Sequence, residues 1–264
     1  MSLTIWQVDA FAEAPLTGNP AAIVVVPEER DAAWMQAIGR EMNLSETAFL
    51  VRRNDGSYDL RWFTPALEVD LCGHATLASA HVLWEEQLLA QDEAARFHSR
   101  SGLLTATRDG DWIELDFPAY ETRDVEPPAD VGKALGAQPV CVSKSRFDYV
   151  VELASEEAVR GLAPDMGLVE ALGQRGVIVT ARASTAPFDY VCRFFAPNGG
   201  VIEDPVTGSI QSALGPYWQE RLGKDDLLGY QASERGGTLR VRPRGERVLI
   251  AGKAVTVLKG ELLA

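Results

Sequence analysis

"RWFTPALEVDLCGHATLASA", residues 61–80, and "RFFAPNGGVIEDPVTGSIQSA", residues 193–213, are two versions of one pattern. Arg61 meets Arg193, Phe63 meets Phe195 and Pro65 meets Pro197. With one inserted residue, Ala80 meets Ala213. Each copy reads as an aromatic strand, a proline, a small Gly-containing turn and then the main helix of its half. A single match of this kind arises by chance, but the same elements in the same order point to duplication. Two related domains commonly meet at a cleft, which would bring the turns "CGHAT" and "DPVTGS" face to face. Each turn opens a helix, with free backbone N–H groups and the positive end of the helix dipole. That arrangement suits a carboxylate-bearing substrate.

Outward from these turns, both halves alternate short strands with few helices. "TIWQVDAF", "AAIVVVP", "TAFLVRR" and "YDLRWFTP" read as strands before the helix "HATLASAHVLWEEQ". "LLTATRDGDWIELDFP" reads as a hairpin turning at Asp109-Gly110. In "DAAWMQAIGREM", Trp34, Ile38 and Met42 recur every four residues behind the N-cap Asp31, so this stretch reads as a helix. The second half repeats the recipe with strands at "FDYVVEL", "GVIVTA" and "FDYVCRFFAP", and helices at "DMGLVEALG" and "SIQSALGPYWQERL". The C-terminal stretch alternates like antiparallel strands. The polar, proline-bearing "ETRDVEPPAD", residues 121–130, is the expected linker. It separates domains expected at 1–120 and 128–264, with the last strand able to pair with the first domain.

The totals exclude several classes. The chain has 264 residues, 46% hydrophobic and 24% charged, as in an ordinary globular protein. Its net charge is −13 and no basic stripe is present, which argues against nucleic acid and against an anionic membrane surface. No apolar run is long enough to span a bilayer and no signal peptide is visible. The three cysteines, Cys72, Cys141 and Cys192, are widely spaced without a CxxC, which argues against a disulfide framework and for a reducing cytoplasm.

A handful of positions carry the chemistry to weigh. Glu46, in "NLSETAFL" (43–50), joins a helix to a strand. A solvated loop glutamate is the plain reading, and a carboxylate against an apolar wall, suited to proton transfer, is the functional one. His74 lies in the first turn of the first main helix, where a structural role competes with a catalytic one. His81 lies two turns further on and His98 lies in a strand. No metal-ligand spacing connects the three histidines, so a metal site is not expected. Asp204 reads either as a cap or turn residue or as a site residue. Ser209 opens the second main helix and lacks a nucleophile elbow, so it suits hydrogen bonding to an anion rather than acyl transfer. Cys72 reads as a small buried apolar residue, with Asp204 as its counterpart in the second half. Gly18-Asn19-Pro20 reads as a turn, and Arg235 is a candidate to face a carboxylate. Neither a dinucleotide fingerprint nor a P-loop is present.

"DAFAEAPLTGNPAAIVV", "NLSETAFL", "RWFTPALEVDLCGHATLASA" and "EDPVTGSIQSALG" together resemble the phenazine-biosynthesis PhzF-like family, in that family's order, from near residue 7 to at least 217. The resemblance implies an α/β chain of α+β type with a diaminopimelate-epimerase-like fold. In that fold two similar domains each wrap a curved, mostly antiparallel sheet around a central helix, here starting at Gly73 and at Ser209. It implies a homodimeric isomerase without cofactor or metal. In the phenazine-making member a glutamate moves a proton between carbons of trans-2,3-dihydro-3-hydroxyanthranilate. Carried over by motif, the catalytic residues are Glu46, His74 and Asp204, and Ser45, Gly73, Gly208 and Ser209 line the substrate. The related epimerases use a cysteine from each half. This chain has Asp204 opposite Cys72, which argues against a two-thiol racemase. An isomerase of the same fold acting on another amino- or hydroxy-acid, and a non-catalytic carboxylate-binding protein, are the competing readings.

Overall fold

The computed structural model describes residues 2–263 and divides into two compact units. The first holds the chain up to Asp116 together with residues from Ala251 onward, and the second is Phe117–Ile250. The first unit contains β1 (Leu3–Ala10), β2 (Asn19–Val26), α1 (Ala32–Met42), β3 (Glu46–Arg52), β4 (Tyr58–Phe63) and β5 (Glu68–Val69). It continues with α2 (Gly73–Glu85), β6 (Ala95–Ser99), β7 (Gly102–Asp109) and β8 (Trp112–Pro118). The second unit contains β9 (Arg123–Asp124), α3 (Val131–Leu135), β10 (Cys141–Lys144), β11 (Asp148–Glu152), α4 (Glu156–Arg160) and α5 (Met166–Ala171). There follow β12 (Gly176–Arg182), β13 (Tyr190–Phe195), α6 (Gln211–Leu222), β14 (Leu227–Gln231), β15 (Gly237–Arg244) and β16 (Arg247–Gly252). The last strand, β17 (Ala254–Leu262), runs antiparallel to β1, from Leu3↔Leu262 to Ala10↔Ala254, and so completes the first unit.

The two units share one pairing scheme. In the first, β1–β2 is antiparallel, β2–β3 parallel, β3–β4 antiparallel, β4–β6 parallel and β6–β7 antiparallel. In the second, β10–β11, β11–β12, β12–β13, β13–β14 and β14–β15 follow the same alternation. The registers agree as well. Thr47 pairs with Phe63 as Val177 pairs with Phe195. Arg61 forks Glu68 at 2.7 and 2.9 Å, and Arg193 forks Glu203 at 2.7 and 2.8 Å. Each guanidinium also lies over the phenylalanine two residues further on, Phe63 at 5.3 Å and Phe195 at 4.8 Å. The aligned Arg-x-Phe therefore does the same work in both halves, fastening the strand to the loop that leads into the main helix.

The main helices are buried almost all round. Along α2 every residue from Gly73 to Ala80 is buried, as are Val82, Leu83 and Trp84, and the helix packs on β1, β2, β3, β7 and β17. Such a helix shows almost no polar face because only His81 and Glu85, toward its end, meet water. In α6, Gln211–Gly215, Tyr217 and Trp218 are buried. Pro216 lacks the N–H that would bond the carbonyl of Ser212, and the backbone N–H of Tyr120 donates to that carbonyl instead, at 2.8 Å. A second apolar layer lies outside each sheet. In the first unit Met35 and Ile38 of α1 pack with Ala22, Val24, Phe49 and Phe63. In the second, Val131, Leu135, Val159 and Val169 pack with Val151, Val177 and Val179.

Three details depart from the sequence reading. Residues 123–125 are not a free linker: Arg123 and Asp124 pair with β10, and the N–H of Val125 donates to Val142. α6 begins at Gln211, two residues after Ser209, because residues 208–210 form a tighter turn whose carbonyls accept from the N–H groups of Gln211, Ser212 and Ala213, three residues on. In the β7–β8 hairpin Asp109 pairs with Trp112, so the turn is Gly110-Asp111, with Gly110 at φ 62° supplying the left-handed residue.

One glycine fixes the entry to β2. Gly18 has φ 68°, and a Cβ there would lie 2.2 Å from the carbonyl oxygen of Ala10. Left-handed strain and a backbone clash then add. Gly18→Ala is expected to lower unfolding free energy by roughly 2–4 kcal/mol, measured by urea denaturation with the slope unchanged.

Candidate active site

"NLSETAFL" explains how Glu46 is aimed. α1 ends at Asn43, whose backbone is left-handed (φ 49°) and whose N–H closes the helix on Gly39 at 3.2 Å. Asparagine tolerates that conformation better than most residues. The reversed chain then enters β3 directly, and Glu46 is the first residue of the strand, beside Ala21 of β2. Its side chain is only 16% exposed.

α2 brings His74 to it. His74 is the second residue of the helix, with a side chain 7% exposed, and its Nε2 lies 3.0 Å from Oε2 of Glu46. The contact is short but lies off the line of a hydrogen bond, so Oε2 and Nε2 are both buried without a formal hydrogen-bond partner. On the other edge of the ring, Nδ1 lies 3.3 Å from Nδ2 of Asn19 and 3.5 Å from Sγ of Cys72. Asn19 is the residue the turn at Gly18 delivers. Its amide can offer an N–H to a neutral Nδ1, or, rotated, an oxygen to a protonated one. The first turn of α2 has no side-chain cap, so its open N–H groups and positive end favour negative charge nearby.

Protonation follows from this packing. Burial alone lowers the His74 pKa, but the Cys72 sulfur and the Glu46 carboxylate outweigh it and hold the imidazole well above its ordinary value. The Cys72 thiol is pushed up to about 11, first by burial and then by Glu46. At neutral pH the cluster therefore contains a protonated thiol and an imidazole that tends to carry its proton.

Among the described residues, Glu46, Cys72 and His74 are the one group whose ligand-capable atoms all lie within 4.8 Å of one another. The residue types and spacing are those that could hold a cation, and within the group the Cys72 sulfur is nearest Nδ1 of His74 and the Glu46 carboxylate nearest Nε2.

The second unit holds the remaining expected residues. Asp204 follows the Arg193–Glu203 clasp; its Oδ2 accepts from the Thr207 hydroxyl at 2.5 Å, and its carbonyl accepts from Nε2 of Gln231 at 2.7 Å. Oε1 of Gln231 in turn accepts from the Thr207 N–H at 2.8 Å. The "DPVTGS" turn is thus clamped to β14. Gly208 is buried and its carbonyl accepts from the N–H of Gln211. The Ser209 hydroxyl lies 3.4 Å from Nη1 of Arg175. In the first unit Ser45 is half-buried just ahead of β3, and Gly73 is the buried first residue of α2. Arg235 lies in the loop after β14, tied to the turn by the bond from the Ser233 hydroxyl to the Pro205 carbonyl at 2.7 Å.

Sequence reasoning passed over Asn19, Thr207, Gln231 and Arg175. Asn19 had a signal, since a buried asparagine after a forced glycine needs a partner. In the second unit, Gln231 at the end of β14 and Arg175 just ahead of β12 are distant in sequence from the turn they contact and gave none.

Fold and site together define an isomerase. Residues 8–260 match the model of the phenazine biosynthesis-like protein family. An uncharacterised isomerase of Halalkalibacterium halodurans is 50% identical over 264 residues, covering 100% of this chain and 99% of that one. The phenazine biosynthesis-like domain-containing protein of Homo sapiens is 40% identical, with both chains covered completely. The crystal structure of a PhzF-family phenazine biosynthesis protein from Enterococcus faecalis superposes with a TM-score of 0.96 at 42% identity, over 100% of both chains. A hydroxyproline epimerase from Agrobacterium vitis shares the fold, with a TM-score of 0.62 at 13% identity over 99% of this chain and 92% of that one. The chain belongs to the phenazine biosynthesis-like, or PhzF, family, on the diaminopimelate-epimerase-like fold.

The site predicts separated histidine titrations. His74 is expected to titrate well above pH 6.5, and His81, lowered chiefly by burial, below it. Because the folded pKa of His74 is raised, its contribution to stability is complete below the unfolded value near 6.5 and is lost as pH rises through the folded value. Ring-proton NMR of the wild type against His74→Gln assigns the two midpoints. A His74 midpoint at or below 6.5 contradicts the site as described.

Proposed function

We propose that this isomerase moves a proton between carbons of a small carboxylate-bearing substrate, with Glu46 as both acid and base and with no cofactor or metal. The observation that carries this reading is the close pairing of a buried carboxylate oxygen with an imidazole, Oε2 of Glu46 lying 3.0 Å from Nε2 of His74. The imidazole holds in place the carboxylate to which this reading assigns the proton from a substrate carbon. As Glu46 takes that proton, His74 shifts with it. The imidazolium stabilises the ionised carboxylate before transfer, and the neutral acid then returns the proton at a second carbon. A buried setting keeps the proton from exchanging with water between the two steps. Cys72 takes no proton itself, since its thiol lies too high to ionise near neutral pH. This separates the chemistry from that of a two-thiol racemase.

Asp204, with its carboxylate braced by Thr207, is assigned to a polar group of the substrate. Ser45, Gly73, Gly208 and Ser209 are assigned to hydrogen bonds that orient it. The resemblance to the phenazine-making member suggests a substrate of the trans-2,3-dihydro-3-hydroxyanthranilate type. The relatives named only as isomerases favour the second reading, in which the same base acts on a different amino- or hydroxy-acid. The proposal includes association as a homodimer in the cytoplasm. Three free cysteines accord with that compartment, and no described helix is long and apolar enough to cross a membrane. A single sedimenting species near 28.7 kDa would exclude the dimer.

Proton NMR in D₂O tests the chemistry, with dihydrohydroxyanthranilate and a panel of small amino- and hydroxy-acids. Deuterium is expected to enter one substrate at carbon, and Glu46→Gln is expected to slow this by at least about 10²-fold while unfolding cooperatively like the wild type. Undiminished exchange in Glu46→Gln rejects Glu46 as the base. Binding of carboxylates with no exchange in any would leave a carboxylate-binding protein.

A further inference from the structure

We infer that the second unit carries a carboxylate anchor, formed by Arg175 and Ser209, at the place in the repeat where the first unit carries Glu46. The strand registers fix this correspondence. Thr47 opposite Phe63 is the counterpart of Val177 opposite Phe195. One residue back, Glu46 corresponds to Gly176, and one further back Ser45 corresponds to Arg175. The parallel neighbours agree, since Glu46 lies beside Ala21 and Gly176 beside Asp148.

Gly176 cannot be exchanged for an acid. A Cβ there would lie 2.5 Å from the carbonyl oxygen of Phe195 and 2.7 Å from Cε2 of Phe194. The second unit has therefore lost the carboxylate position and has placed a cation beside it. Nε and Nη2 of Arg175 donate to Asp148 at 2.9 and 2.5 Å, from a side chain 35% exposed to an aspartate side chain 3% exposed. The guanidinium lies 5.6 Å from the Phe147 ring and 5.2 Å from the Phe194 ring. A buried acid behind and aromatic rings close by fix the plane of the fork. Nη1 reaches the Ser209 hydroxyl at 3.4 Å. A guanidinium has five N–H donors, so these contacts leave N–H groups over on both terminal nitrogens, next to a hydroxyl able to donate. A planar donor fork beside a hydroxyl is the recognition element for a carboxylate. The duplication has thus diverged into a unit with a carboxylate base and a unit with a carboxylate anchor. This rests on the reading of Glu46 as the base.

The test is binding of 2-aminobenzoate against 2-aminobenzamide, by titration calorimetry on the full chain. The wild type is expected to prefer the acid by about 10-fold or more. Arg175→Gln alone would strand the buried Asp148, so the variant is Arg175→Gln with Asp148→Asn, its folding checked by thermal melting. It is expected to bind both compounds equally, and Arg175→Lys is expected to keep part of the preference as a point charge. Glu46→Gln is expected to keep all of it. Loss of exchange chemistry in Glu46→Gln with the preference intact separates the anchor from the base. An unchanged preference in the folded double variant, or no preference in the wild type, overturns the anchor. Loss of the preference in Glu46→Gln would also overturn it, placing recognition in the first unit.

Discussion

A helix buried on nearly every side must satisfy its polar groups without water, and this constraint shapes both units. In α2 the hydroxyls of Thr76 and Ser79 donate back to the carbonyls of Cys72 and Ala75. His74 has two ring nitrogens to place, and it finds Asn19 and Cys72 on one edge and Glu46 on the other. Leaving such groups unpaired costs on the order of 1–3 kcal/mol each. The imperfect Glu46–His74 contact is therefore a local sacrifice of stability, of the kind that marks positions kept for chemistry rather than packing. In α6 the same pressure appears as the Pro216 gap, closed by the Tyr120 N–H.

The duplicated scaffold shows what folding requires and what it leaves free. The Arg–Glu forks, the cation–π contacts and the strand registers are kept in both halves because they hold the strand, loop and helix together. The residues around the helix starts differ. The first unit has Cys72 and His74 facing Glu46, and the second has Asp204 with Thr207, Ser209 with Arg175, and glycine at the position of Glu46. Divergence is concentrated at the strand and helix starts, as expected when function lives in sites placed on a fold.

The charge of −13 does not prevent an acidic protein from binding an anion, because the relevant field is local. A guanidinium fixed by Asp148 and two aromatic rings, or the uncapped start of α2, acts over a few ångströms, whereas the net charge is screened beyond about 8–10 Å. The excess acids are mostly exposed or paired with arginines and lysines, as with Glu86 and Lys259 or Asp189 and Lys224.

The sequence by itself determined the α+β class, the internal repeat, the strands, the main helices and the short list of chemical residues. These follow from local periodicity, turn chemistry and the reuse of one pattern, all written along the chain. It misread residues 123–125 of the 121–130 stretch and the start of α6, where the outcome depends on which partner takes a backbone N–H. β9 forms because β10 offers an open edge, and residues 208–210 stay out of the helix because their carbonyls take the N–H groups three residues on. Only the tertiary structure decided that Asn19 meets His74, that Cys72 stays a thiol, that Glu46 keeps a buried oxygen unbonded, and that Arg175 stands beside Ser209. Those contacts join residues up to 55 positions apart. The physical reason is that sequence specifies which side chains a strand end or helix start presents, while the meeting of two such ends is set by the packing of the sheet between them.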